Sequence, residues 1–401
     1  MNLTPYLLLL LAALFPIVMQ AAPDLGEVLE ASVARDPDRS LAAAIETESR
    51  ALRHQAGSLL AGDPALSVRH ETDAIDNDRG YRYWEGGLAL PLWLPGQRAD
   101  RRAVATATAE EAASQAWLHR WQVAGVVREL VWSLRIAEAE QRLAQQALAS
   151  ARALQDDVER RLRAGELAHA DLILAQKETL ARELERTQAE SRYQALRARY
   201  RAMTGLGELP PLAEETPAPA AGIDSGHPAL AAATAATDRA RAERDRVRNE
   251  KRDNPLLTVG AIQQRAEQRF DYEQSLVLEL SMPLGLASQA EPRTAVAERD
   301  LTEASNALMR LRRELERDLI EASAERSRTE QTVRLADTRQ QLAAEGLRLS
   351  RRAFELGEGD LFSLLQTRSQ AIAAEREREL QQLEHGRAVA RYNQALGVLP
   401  Q

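Results

Sequence analysis

The sequence predicts a mainly α-helical chain with a small β part, in which one plan (helix, strand, strand, long helical hairpin) is written twice. Three observations predict it. The composition is that of long helices: Ala, Leu, Arg, Glu and Gln dominate, aromatics make up 4%, and the 401 residues hold only 20 glycines. Five landmarks recur in register, Pro37 with Pro228, Pro64 with Pro255, Pro91 with Pro283, Gly165 with Gly357 and Gly205 with Gly397. Two stretches in each half alternate apolar and polar residues with the period of a strand, while the segments after them step by three and four.

Taken in order, residues 6–19 are almost wholly apolar and lead into Ala21, Ala22 and Pro23. The run is short for a bilayer span, so residues 1–22 read as a secretory signal peptide, with an uncleaved N-terminal anchor as the alternative. The first repeat is expected over 23–210 and the second over 227–401, with a Pro-, Ala- and Gly-rich linker at 211–226. Each repeat opens on a helical stretch, 38–61 and 229–251. Strands are expected at 65–73 and 81–94, then at 256–264 and 270–284. Leu66, Val68 and His70 share one face, as do Leu88, Leu90, Leu92 and Leu94. Leu257, Val259 and Ala261, then Leu276, Leu278, Leu280 and Met282, repeat the pattern.

Helical hairpins are expected over about 98–204 and 290–397, turning at Gly165 and Gly357. At ~1.5 Å per residue the first arm, about 65 residues, is a rod of roughly 100 Å. Its apolar stripe is thin and Ala-based (Ala137, Ala144, Ala147, Ala151), which suits closely packed coiled coil rather than a thick core. Trp117, Trp121 and Trp132 read as packing residues on this rod.

The same arithmetic excludes whole classes. Without Cys there is no disulfide framework, no zinc-thiolate site and no acylated N-terminal cysteine. A charged fraction of 28% excludes a multi-span helical membrane protein, and a net charge of −8 argues against a nucleic-acid partner. Nearly all the positive charge is Arg, with Lys only at Lys177 and Lys251. The six His are scattered, and no GxSxG, P-loop or HExxH motif is present, so no enzyme, metal site or cofactor is expected. Four strands of about 9–11 residues with alternating polarity have the size of outer-membrane barrel strands, yet four cannot close a barrel. Closure in lipid is compulsory, so several chains must contribute strands to one barrel, with the rods hanging into the adjacent aqueous compartment. Tyr81, Tyr83, Trp84, Phe270 and Tyr272 cluster near the strand loops, where a membrane interface places aromatics.

Three passages then carry a resemblance. The first turn reads Arg163-Ala-Gly165-Glu-Leu-Ala-His-Ala-Asp171-Leu-Ile-Leu-Ala175, and the second Phe354-Glu-Leu-Gly357-Glu-Gly-Asp360-Leu-Phe-Ser-Leu-Leu. The passage from strand to helix is Leu90-Pro-Leu-Trp-Leu-Pro-Gly96-Gln-Arg98. With the duplicated plan, these make the chain resemble the TolC-type outer-membrane efflux proteins over essentially its whole mature length. The resemblance implies a homotrimer in the outer membrane of a Gram-negative bacterium, with a 12-stranded barrel and a 12-helix periplasmic tunnel. It also implies two partners, a periplasmic adaptor (membrane fusion protein) and an inner-membrane pump, expected to be of the RND type. Tip and adaptor contacts carry over to Arg163, Gly165, Glu166, Leu356, Gly357 and Glu358. A pore-facing carboxylate carries over to Asp171. The family's acidic positions in the second repeat fall on Ser363 and Gln366, so Glu355, Glu358 or Asp360 is expected to supply an acidic ring there. The Ala164-Gly165-Glu166 turn is similar to the heavy-metal-cation branch more than to the drug branch. A type I secretion duct is the alternative cargo class, and a periplasmic adaptor or coiled-coil scaffold the alternative outside the channels.

Overall fold

The computed structural model describes residues 23–76, 78–211, 215–219 and 222–400. The expected signal peptide and linker residues 212–214 and 220–221 lie outside the described residues. In chain order the elements are α1 Leu25–Arg35, α2 Arg39–Gly57, β1 Ala65–Thr72, β2 Arg82–Pro91, α3 Gln97–Arg163 and α4 His169–Thr204. The second half continues with α5 Pro228–Asn249, β3 Leu256–Arg265, β4 Glu273–Ser281, α6 Ala287–Glu355 and α7 Leu361–Ala395. Helix α1 was not expected. Its start carries a readable signal, a capping box in which the Glu27 amide donates to Asp24 Oδ1 (2.7 Å) and the Asp24 amide donates to Glu27 Oε2 (3.3 Å).

The four strands form one antiparallel sheet in the order β1-β2-β3-β4, so the β2–β3 pairing joins the two repeats. The register lines up Leu66, Leu88, Val259 and Leu278 in one row across the sheet. The next row is Val68, Gly86, Ala261 and Leu276, and a further one is Leu90, Leu257 and Leu280. These rows share a face because side chains alternate along a strand. That face is uncovered: Leu276 is 90% and Leu278 75% exposed. The other face is more polar, with the rows Ser67, Gly87, Gly260 and Val277, then Arg69, Glu85, Ile262 and Ser275. Strands β1 and β4 have no neighbour on their outer edges.

Three strand ends fall three residues short of expectation, the third being the end of β4 at Ser281 rather than 284. The alternation runs on to Leu94, but β2 stops at Pro91, and Pro95-Gly96 starts the next helix with Gly96 at φ +85°. Strand β4 begins at Glu273 rather than 270, because the Phe270 amide donates to the Glu267 carbonyl in a turn (3.1 Å). Below the sheet the buried Gln97 amide pairs reciprocally with Asn254, at 3.0 and 2.8 Å, tying the two repeats together.

Helices α4 and α7 cover the half of α3 and α6 nearest the hairpin turns, and α2 and α5 cover the half nearest the sheet. Their contacts give the lateral orders α4-α3-α7-α6 and α2-α3-α5-α6. Among the described residues no helix is long and apolar enough to cross a membrane. The α3–α7 line is locked where the Trp132 ring, 5% exposed, lies over Gly386. A Cβ at Gly386 would sit 2.2 Å from the ring, so Gly386→Ala is expected to destabilise by about 1–3 kcal/mol, against a helix-propensity gain of about 1. Urea unfolding checks this, and adding Trp132→Leu should restore part of the loss.

The described linker residues are pinned rather than free. Arg128 on α3 donates to both Glu215 carboxylate oxygens (2.8 and 2.7 Å), and Asn393 on α7 accepts from the Ala218 amide (2.9 Å). Nearby, His227 caps α5 by accepting from the Ala229 amide at 3.2 Å, with its ring edge-on to Trp121. Burial pushes the His227 pKa below 6.5, only partly opposed by Asp224. A folded-state pKa below the unfolded one means the contribution to stability is complete above about pH 6.5 and is lost as pH falls below it. Thermal midpoints at pH 7.5 and pH 5 should therefore diverge, and His227→Gln should narrow the gap.

Candidate functional site

The two hairpin turns are built alike, although 192 residues separate them in sequence. In the first, the Gly165 amide donates to the Leu162 carbonyl (3.0 Å) and the Glu166 amide to the Arg161 carbonyl (2.9 Å). In the second, the Gly357 amide donates to Phe354 (3.2 Å) and the Glu358 amide to Ala353 (2.9 Å). This is the bonding of a helix C-terminus ended by a left-handed residue, and Gly165 (φ +80°) and Gly357 (φ +77°) supply it. Nothing lies within 4 Å of a Cβ placed on either glycine, so Gly357→Ala would meet strain but no clash. The expected cost is about 1–2 kcal/mol, borne by the turn alone. Hydrogen exchange should speed up in residues 352–360 while the global urea midpoint barely moves, and Gly357→Asn should do less damage.

Arg163, Glu166, Leu356 and Glu358 are all exposed at these turns. Beneath them one apolar cluster, Val158, Ala175, Phe354, Leu361 and Leu364, is fed by all four helix ends, so the two turns form a single tip. The Arg161 guanidinium lies 4.9 Å from the Phe354 ring centroid, over the same cluster. The sequence marks Phe354 as the start of the second turn motif and Arg161 among the charged residues of the first turn, but not the contact between them, which joins the two turns.

The acidic residues have local partners. Asp171 Oδ2 accepts from the Ala168 amide (3.0 Å) at the start of α4. Asp360 caps α7, accepting from the Ser363 amide (2.7 Å) and the Ser363 hydroxyl (3.1 Å), and these bonds hold its carboxyl below the usual range. Glu355 faces Arg352 across 3.6 Å on its own helix. Above the tip, a groove of about 1020 Å³ runs between α3, α4 and α7. Glu140 bridges its walls, reaching Arg192 of α4 (3.0 Å) and Arg376 of α7 (2.9 Å). Among the described residues no cluster of His, Cys, Asp and Glu could hold a metal ion.

No protein-family model and no curated protein matches the chain. Solved structures do match. The outer membrane protein VceC of Vibrio cholerae superposes with a TM-score of 0.75 at 15% identity, covering 93% of this chain and 96% of its own. The CmeC outer membrane channel of Campylobacter jejuni gives 0.73 at 13% identity, covering 94% and 86%. The open-state MtrE outer membrane channel of Neisseria gonorrhoeae gives 0.70 at 17% identity, covering 94% and 90%. The chain has the TolC-type outer-membrane channel fold.

Within this TolC-type fold the five loop aromatics do not form one group. Trp84 is on the apolar face, stacked on His70 with ring centroids 3.9 Å apart. Tyr83 is on the opposite, polar face, where its hydroxyl donates to Glu85 (3.0 Å), so it cannot share an outer girdle with Trp84. Tyr81 precedes β2, and Phe270 and Tyr272 precede β4 in the loop, beneath the guanidiniums of Arg269 (4.9 Å) and Arg265 (4.8 Å) respectively.

Proposed function

We propose that the protein is the outer-membrane duct of a tripartite efflux system, passively conducting substrate from an inner-membrane pump and a periplasmic adaptor to the exterior. The observation that carries this reading is the sheet. One face is apolar and exposed across all four strands, and both edges are unpaired. In water such a face and such edges are liabilities; in a bilayer, closed by other copies, they are what a barrel needs. Three copies give 12 strands and a tunnel of 12 helices. The tip then becomes the periplasmic mouth, with Arg163, Gly165, Glu166, Leu356, Gly357 and Glu358 meeting the adaptor and Asp171, Glu355 and Asp360 forming the acidic gate. Three-fold repetition of a carboxylate focuses negative potential there and favours cations. An RND-type pump exporting metal cations or drugs is the finer reading, supported by the likeness of the Ala164-Gly165-Glu166 turn.

Fractionation tests the duct. Heat-resistant trimers in detergent extracts of the outer membrane are expected, and recovery as a soluble periplasmic protein would overturn the reading. Deletion of the gene, followed by exposure to zinc, cobalt, cadmium, copper and drugs, assigns the cargo; unchanged metal tolerance removes the metal reading.

A further inference from the structure

The two β-hairpin loops, 73–81 and 266–272, lie at the end of the sheet away from the rods, because helices lead into β1 and β3 and follow β2 and β4. Towards those loops the apolar face changes character row by row. Its aliphatic part ends on the row Val68, Gly86, Ala261 and Leu276. The next row is His70, Trp84, Gln263 and Gln274. The last is Thr72, Arg82 and Arg265, with the Arg265 guanidinium 4.8 Å from the Tyr272 ring centroid. A lipid presents its groups in the same order: acyl chains, then carbonyls, then a charged headgroup. From Leu92 to Arg82 is about 33 Å along the strand, which a tilt of ~40° reduces to about 25 Å, the height of a barrel's lipid-facing band.

Two features of this face serve no evident purpose in folding. Arg82 and Arg265 stand directly opposite one another on neighbouring strands, where like charges repel. Arg82 is compensated by Asp73 (3.2 Å) and Asp78 (3.5 Å). Arg265 has no carboxylate partner among the described residues. Its Nε donates to the Gly80 carbonyl (3.3 Å), and its two terminal nitrogens have no acceptor there. Below the pair, a hollow of about 540 Å³ opens in the face. The small residues Gly86 and Ala261 floor it, Trp84 and Leu276 wall it, and Gln263 and Gln274 stand at its upper end. It is centred on the inner strands β2 and β3, so copies joined at β1 and β4 would leave it open.

We propose that the hollow and the arginine pair above it bind one phosphorylated glycolipid of the external leaflet in each copy, with an acyl chain in the hollow and a phosphate between Arg265 and Arg82. The phosphate supplies the acceptor that the Arg265 terminal nitrogens lack, in charge-assisted hydrogen bonds, and relieves the repulsion across the pair. Gln263 and Gln274 meet the ester and amide carbonyls between phosphate and chain. The inference rests on the duct reading, which makes the loop end of the sheet external. In a Gram-negative outer membrane the lipid of that leaflet carries its phosphates on sugars, at the depth of the arginine row.

The full-length protein is extracted in detergent, stripped of lipid and offered lipid A, an acylated glucosamine disaccharide with two phosphates. Native mass spectrometry counts the molecules retained, and wild-type trimers should hold up to three. Arg265→Gln should weaken binding at least about tenfold, as the loss of a hydrogen bond to a charged group does. Ala261→Leu fills the hollow, leaves both arginines in place and should weaken binding as well; it serves if Arg265→Gln does not trimerise. Arg269→Gln should change nothing, because Arg269 already pairs with Glu267 at 2.9 Å. Equal binding by wild type and the first two variants would overturn the inference, and so would equal binding of lipid A stripped of its phosphates. Displacement by excess inorganic phosphate would also overturn it, since the site would then take a free anion. If wild-type trimers hold no lipid A, the inference falls and the duct reading stands. If no trimer forms in the outer membrane, both fall.

Discussion

Leu278→Arg is expected to remove the protein from the outer membrane, while Ser275→Arg, three residues earlier on the same strand, is expected to leave it there. Leu278 stands in the row Leu66, Leu88, Val259, Leu278 on the open apolar face, and Ser275 on the polar face beside Ile262. An arginine facing lipid near the bilayer midplane costs about 2–4 kcal/mol, and every copy in the barrel would bear that cost. An arginine facing a water-filled lumen costs little. The measurement is the amount of heat-resistant oligomer in outer-membrane extracts of the two variants. Equal recovery of both would mean that the apolar face does not meet lipid. A soluble scaffold predicts the opposite ordering of harm, since adding charge to a wet apolar face would improve it.

Glu215→Ala is expected to be the most damaging single change in the helical part. Arg128 is 3% exposed, and Glu215 takes two of its hydrogen bonds, with the Val398 carbonyl (2.8 Å) and Gln394 taking others. Removing one partner of a buried pair costs about 3–5 kcal/mol, because the remaining charge is left in a medium that cannot solvate it. The bonds to Val398 and Gln394 survive, which places the expectation near the lower end of that range. Urea midpoints measure it. Arg128→Met in the Glu215→Ala background should recover part of the loss, because the orphaned charge is then gone. The triad of Glu129 with Arg387 and Arg391 provides the contrast. It is half-buried, with Glu129 42% exposed against 14% for Glu215, so water still reaches the charges, and Glu129→Gln should cost about 1 kcal/mol.

The duplicated plan was legible because its markers are residues with no substitute. Proline ends strands and positive-φ glycine ends helices, so Pro64, Pro91, Gly165 and Gly357 kept register with their counterparts. The faces of the strands were legible too, since period two needs only the residue types: Leu66 and Val68 do share a face with Leu88, and Leu257 and Val259 with Leu278. What escaped were facts that depend on partners distant in sequence. Nothing in residues 120–135 announces that Arg128 binds a glutamate in the linker. Nothing local tells that Tyr83 and Trp84, read together as interface aromatics, are separated by the sheet itself; only the alternation, applied strictly, would have split them. The Ala-based stripes of α3 and α6 also gave no lateral order, because small residues accept almost any neighbour. At the tip the turns were foreseen, but the cap contacts of Asp171 and Asp360 depend on the helix beginning at one residue rather than the next.

The near-exclusive use of arginine has a practical side. Only Lys177 and Lys251 offer an ε-amine, the first on α4 near the tip and the second just before β3, and both are exposed in the single chain. Besides the α-amine of the chain, amine-reactive reagents therefore read out two side-chain addresses, one at each end of the rods. If the proposed assembly covers α4 near the tip, acylation of Lys177 should slow on assembly while Lys251 acts as an internal clock for reagent strength. A mass spectrometer following two peptides would then report the state of the hairpin tip in whole cells, without a mutation or an added tag.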